Sequence, residues 1–172
     1  MTERTTVPYV ADERTMLLGF LDYHRGTLRM KAEGLDAAQL ATSHPPSTLT
    51  LIGLFKHLAL VEDWWFGVNL VGTPDMPPFD TVDWDADPDW EFRTAATDDP
   101  DYVFGLYEKA VAASDANLAT IADLDHIIHR RHPKTGEGLS TRWVVLHMIE
   151  EYARHNGHAD LIRESIDGQT GS

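Results

Sequence analysis

The sequence predicts an all-α protein, an antiparallel four-helix bundle with a long crossover between its second and third helices. Three observations predict it: apolar residues recur at helical spacing in four stretches, no stretch alternates in the manner of a strand, and an acidic, proline-rich segment separates the halves. Residues 12–32 form the first helix, with Met16, Leu17, Phe20, Leu21 and Leu28 at helical spacing, outward charges between them, and Gly34 as the stop. After a loop with His44, Pro45 and Pro46, the hydroxyls of Ser47, Thr48 and Thr50 offer caps for a second helix over 51–71, ended by Gly72 and Pro74. His57 falls in its second turn. Residues 73–99 are rich in Asp and Pro without a helical period, which predicts a surface crossover pinned by Trp84 and Trp90. Asp99 before Pro100 is an N-cap followed by proline at the first helical position, opening a third helix to about Ile121. The stretch 123–138, with His126, His129, Arg130, Arg131, His132 and Pro133, is a solvated connection and also the only dense basic cluster available to an anion. Ser140 then caps a long fourth helix ending near Ile166, with Gly168 just after it.

Composition narrows the function. A chain of 172 residues suffices for one domain with a sizeable core, taken as 1–172. Its 28 acidic side chains against 14 basic ones give a net charge of −14, which repels phosphate backbones and argues against a nucleic-acid partner. There is no cysteine, hence neither a disulfide framework nor a protein thiol, and any thiol chemistry must use a thiol from outside. No run of eighteen uncharged apolar residues occurs, so no membrane span is expected and the protein is placed in the cytoplasm.

The chemistry concentrates on the fourth helix. Glu151 and His155 stand at i, i+4, which stacks both side chains on one face, one turn apart. With His57 from the second helix they can set two imidazoles and one carboxylate around a single divalent ion, provided the fold joins the two helices. Trp143, His147, Glu150, Glu151, Arg154, His155, His158 and Ile162 share a broad, mostly polar stripe, whereas a purely structural face would show Leu, Val and Ala. Burying Glu and His without partners costs on the order of 1–3 kcal/mol per unsatisfied group, a penalty much of which a metal removes. His147, one turn before Glu151, competes for a ligand place or serves beside the site. Two imidazoles plus a carboxylate suit Zn²⁺ with an open fourth position, and also Fe²⁺, Ni²⁺ or Co²⁺.

Two blocks, Leu49-Thr50-Leu51-Ile52-Gly53-Leu54-Phe55-Lys56-His57-Leu58 and the run from Arg142 to Glu164, resemble the DinB/YfiT-like metalloprotein superfamily, closest to an actinobacterial branch of unknown function. Relatives in that superfamily include mycothiol-dependent maleylpyruvate isomerases and bacillithiol S-transferases. The resemblance covers nearly the whole chain. It implies a four-helix bundle, a divalent metal (zinc foremost, nickel or iron as alternatives) and a homodimer. Many members use three histidines; here Glu151 replaces one, and the His, Glu, His set of the isomerases carries over as His57, Glu151 and His155. The function it implies is activation of a low-molecular-weight, mycothiol-like thiol for S-transfer to, or isomerisation of, a small electrophile. His147 and His158 are the candidate catalytic groups, and Arg154, Asp160 and Arg163 the candidate substrate contacts, unless Asp160 and Arg163 simply pair at i, i+3. The competing readings are a metal- or ligand-binding stress protein without turnover, a hydrolase using metal-bound hydroxide, and a purely structural bundle.

Overall fold

Asp12 accepts a hydrogen bond from the Thr15 amide at 3.0 Å and so caps α1, Glu13–Ala32. The structure, a computed structural model, describes residues 4–132 and 134–170; Pro133 of the polar connection and the ends of the span 1–172 lie outside the described residues. Asp36 and Gln39 close a capping box on the short α2, Ala37–Leu40. Thr50 caps α3, Leu51–Glu62, which continues as a π-helical segment, Asp63–Asn69. α4 spans Trp90–Ala95, and Asp99 caps α5, Pro100–Ala119, with proline in its first turn. The strands β1, Ile127–Arg131, and β2, Gly138–Ser140, form an antiparallel hairpin. It leads directly into α6, Thr141–Asp167, capped by Ser140 and ended by Gly168 at φ 78°.

Contacts along the helices fix their directions. α1 meets α6 through Glu13 with Arg142, His24 with Asn156 and Lys31 with Asp160, so the two run parallel. α3 and its continuation meet α5 through Phe55 with Phe104, Glu62 with Ser114 and Phe66 with Asn117, again parallel. Arg29 with Glu108 and Arg14 with the Leu118 carbonyl set the first pair against the second. Because α3 and α5 point the same way, the chain between them must travel back along the molecule, which explains the long crossover. A simple alternating order is thereby replaced by two parallel pairs facing opposite ways.

Two expectations are corrected here. The protein is mostly helical but not all-α, because 127–140 contains the hairpin. That strand pair escapes a search for alternation because Ile128 alone in β1 is buried. The hairpin docks through Ile128 in the core and through the His129 amide, which donates to the Leu70 carbonyl at 2.9 Å. Gly72, at φ 81°, makes that approach possible: a Cβ there would meet the His129 ring at 2.8 Å. The crossover is likewise not featureless. It carries a 3-10 turn at Phe79–Thr81 and α4, with Trp84, Trp90 and Phe79 packed edge to face, so both tryptophans pin it as expected.

The charges between the apolar positions of α1 do not all point outward. Arg25 is 1% exposed and donates to both carboxylate oxygens of Glu62, at 2.7 and 2.8 Å. Glu62 also accepts from the Tyr152 hydroxyl at 2.6 Å, and the Tyr152 oxygen in turn accepts from the Tyr107 hydroxyl at 3.0 Å. α1, α3, α5 and α6 each contribute a member to this buried group. Among the described residues no helix is long and apolar enough to cross a membrane.

Candidate metal centre

α6 sets Glu151 and His155 one turn apart, with the His155 Nε2 3.3 Å from a Glu151 oxygen. α3 brings His57 across to them, its ring centroid 4.8 Å from that of His155. One ligand atom from each of the three residues lies within 4.8 Å of the others, so the juxtaposition demanded by the sequence is met. Tyr152 points the other way, into the buried group around Glu62, and this locks the roll of α6 that presents Glu151 and His155 to α3.

The ring nitrogens are assigned by their outer partners. His57 Nδ1 lies 2.9 Å from Glu91 Oε1, and Glu91 is 4% exposed. A carboxylate accepts, so Nδ1 carries the proton and Nε2 is left as the donor lone pair. Phe92 stacks on the same ring at 4.7 Å. α4, which supplies both residues, is anchored by Lys56: its ammonium bonds Thr94 and Asp98 at 2.6 and 2.5 Å and sits 3.9 Å over the Trp90 ring. His158 backs the His155 ring, with their Nδ1 atoms 3.3 Å apart, while the His155 Nε2 faces Glu151. Burial first, then the nearby His57, His158 and Arg154, push the His155 imidazole down to about 3, so it is neutral at neutral pH and suited to coordinate.

This donor set fits a divalent ion. It offers two imidazoles and one carboxylate, and the Glu91 carboxylate behind His57 is the kind of outer acceptor by which proteins raise ligand basicity and fix ligand orientation. Glu91 was not among the sequence candidates. It lies in a stretch whose Asp and Pro content signals irregular surface chain, and nothing in its spacing links it to His57. Glu91→Gln is expected to lower metal affinity about 10–100-fold while leaving the fold intact, measured by competition with a chromophoric chelator. Affinity equal to that of the parent protein would remove Glu91 from the site.

The remaining candidates separate. His147 sits beside the cluster, its Nε2 3.6 Å from Glu151, stacked on Trp143 at 5.0 Å and edge-on to Trp65 at 4.8 Å. Arg154 is exposed at the rim. Asp160 pairs with Lys31 on α1 at 2.6 Å. Arg163, 5% exposed, donates to the carbonyls of Lys31 and Glu33 and to Asp167. Both therefore have partners that fasten the end of α6 to α1, and they do not pair with each other. His24 hydrogen-bonds toward Asn156, not toward the cluster.

A mostly helical fold carrying a partly buried His, Glu, His group defines the class: a helical protein with three side chains that could hold one metal ion. Within that class, a family model described as "MST: Mycothiol-S-transferase" matches residues 16–168, and the chain belongs to that family. This agrees with the resemblance to the DinB/YfiT-like superfamily. None of the curated proteins matches the chain.

Proposed function

We propose that this protein is a metal-dependent enzyme that transfers a low-molecular-weight thiol, mycothiol in the first instance, to a small electrophile. The observation that carries this reading is the convergence of His57, Glu151 and His155, in a chain of the mycothiol S-transferase family that has no cysteine of its own. In this reading α1, α3 with its π-helical continuation, α5 and α6 make up the four-helix bundle of a single domain, which works as a cytoplasmic homodimer. Zinc is the preferred ion, on the match of two imidazoles and a carboxylate to its open catalytic sites.

A divalent ion held there supplies Lewis acidity that lowers the pKa of a thiol toward neutrality. The chain's own groups do the rest. Glu91 keeps the Nε2 of His57 unprotonated and facing inward, and His158 supports the His155 ring from behind. His147, clamped between Trp143 and Trp65, is placed to take the thiol proton. The thiol sulfur then forms a bond to the electrophilic carbon, whose leaving group departs with its electron pair. Arg154 at the rim offers a charge to an anionic end of either substrate.

The test is direct. Cobalt-loaded protein titrated with mycothiol is expected to develop a near-ultraviolet thiolate band and to conjugate monobromobimane faster than the protein-free mixture. The absence of both the band and the acceleration would sink the proposal. Ester turnover without any thiol would point to hydrolysis, and bound metal with no response to thiol would point to a binding protein.

A further inference from the structure

Beyond the metal centre, the π-helical segment and the hairpin enclose a cavity of about 670 Å³ lined by Trp64, Trp65, Arg130, Arg131, Glu137 and Leu139, among others. Both walls depart from regular geometry. In the π-helical segment, the consecutive residues Trp64 and Trp65 both line the cavity. In the hairpin, Ile127 pairs with Ser140 and Arg131 with Gly138, so four steps along β1 oppose two along β2. Successive strand residues normally face opposite ways; this bulge is what lets Arg130 and Arg131 line one cavity. π-Segments and bulges are both over-represented at functional sites, where they re-aim side chains.

The charge of the cavity runs against that of the molecule. In a chain of net charge −14, Arg25, Arg29, Arg93, Arg142 and Arg163 all pair with carboxylates. Among the described residues Arg130 and Arg131 have no carboxylate partner; Arg4, Arg14 and Arg154 have none either, but they do not line this cavity. Arg130 rests over the Trp64 ring at 4.6 Å and reaches Asn69 at 3.2 Å, which holds its guanidinium in place without neutralising it. Glu137 is the single acidic residue of the lining, and it accepts from Thr135. Two guanidiniums therefore meet one carboxylate against two indoles. The cavity also adjoins the metal-ligand face, since Trp65 touches His147 and His147 touches Glu151.

We infer that this cleft binds a small organic anion, its carboxylate held by Arg130 and Arg131 and its planar apolar body lying on Trp64 and Trp65. On the reading of the metal centre as an S-transfer site, this anion is the electrophile, and the enzyme selects electrophiles that carry a carboxylate beside an aromatic or unsaturated body. Arginine suits the task because its planar fork matches a carboxylate with two parallel hydrogen bonds.

The probe is 1-naphthoate, titrated into metal-free protein against the neutral 1-naphthalenemethanol, with the indole N–H resonances followed by NMR and assigned through Trp64→Phe and Trp65→Phe. Naphthoate is expected to shift the Trp64 and Trp65 signals and to bind at least tenfold more tightly than the alcohol. Arg131→Ala is expected to weaken it about tenfold, and Lys109→Ala, an exposed cation on α5, to leave it unchanged. Equal binding of acid and alcohol, no binding of either, or indifference to Arg131→Ala would overturn the inference. Because the titration needs neither metal nor thiol, it separates the two proposals. Charge-dependent binding with a failed cobalt and thiol test would sink the S-transfer reading alone. Bimane conjugation with naphthoate indifferent to Arg131 would sink the cleft alone.

Discussion

Glu62→Ala is expected to destabilise the protein by about 3–5 kcal/mol, the range for removing one partner of a buried ion pair. Glu62 is 0% exposed and Arg25 1%, so the substitution strands a guanidinium in the core with Asp22 and Asp115 reaching only its outer nitrogen. It also removes the acceptor of the Tyr152 hydroxyl, a second buried donor left unpaired. Burial, and then the Glu62 carboxylate, push the Tyr107 and Tyr152 hydroxyls above their usual range, so both remain protonated donors at any pH of interest. The pair stabilises through its completeness: bidentate Arg25 and the Tyr152 hydroxyl leave the Glu62 carboxylate few open valences. A denaturant titration measures the loss as a lowered midpoint at constant slope. Metal affinity should fall with it, since Tyr152 fixes the roll of α6 beside Glu151. A midpoint within experimental scatter of the parent would show that the group contributes specificity without net stability.

What the sequence makes legible follows the periodicities it carries. The i, i+4 pair of Glu151 and His155 is a statement about one helix, and the caps at Thr50, Asp99 and Ser140 stand where their hydroxyls and carboxylates signal them, whereas Asp12, read as the first helical residue, is the N-cap. Partnerships between elements are not written locally. Arg25 looks like one more outward charge on α1, and its partner Glu62 sits on another helix, so only the packed structure shows that both are buried. Glu91 is hidden for a further reason: α4 is six residues long, too short to display a helical period, inside a stretch with strong breaker composition. The hairpin gave no strand signal because a single buried side chain cannot alternate. The π-helical turn gave none because apolar residues continue through it much as they would in an α-helix; its consequence, Trp64 and Trp65 on one cavity, is a matter of pitch.

Glu151→Ala is expected to reduce metal affinity more than ~100-fold, beyond the 10–100-fold expected for an outer partner such as Glu91. The difference has an electrostatic origin. Glu151 is the only anionic donor among the three, and without it two imidazoles face a divalent charge in a partly buried site. His147, 3.6 Å from Glu151, is an imidazole near enough to substitute, but an imidazole ligand brings no negative charge and this one is held by Trp143 and Trp65. Metal binding also stabilises the folded state by mass action, about 2.7 kcal/mol at a free concentration one hundred times Kd. The substituted protein should therefore lose both the bound metal, by elemental analysis, and the rise in melting temperature on adding zinc, while the metal-free proteins melt alike. The ranking is the decisive result. If Glu91→Gln costs more affinity than Glu151→Ala, the carboxylate on the ion is Glu91, and the pairing of Glu151 with His155 on α6 is only a helix-surface contact.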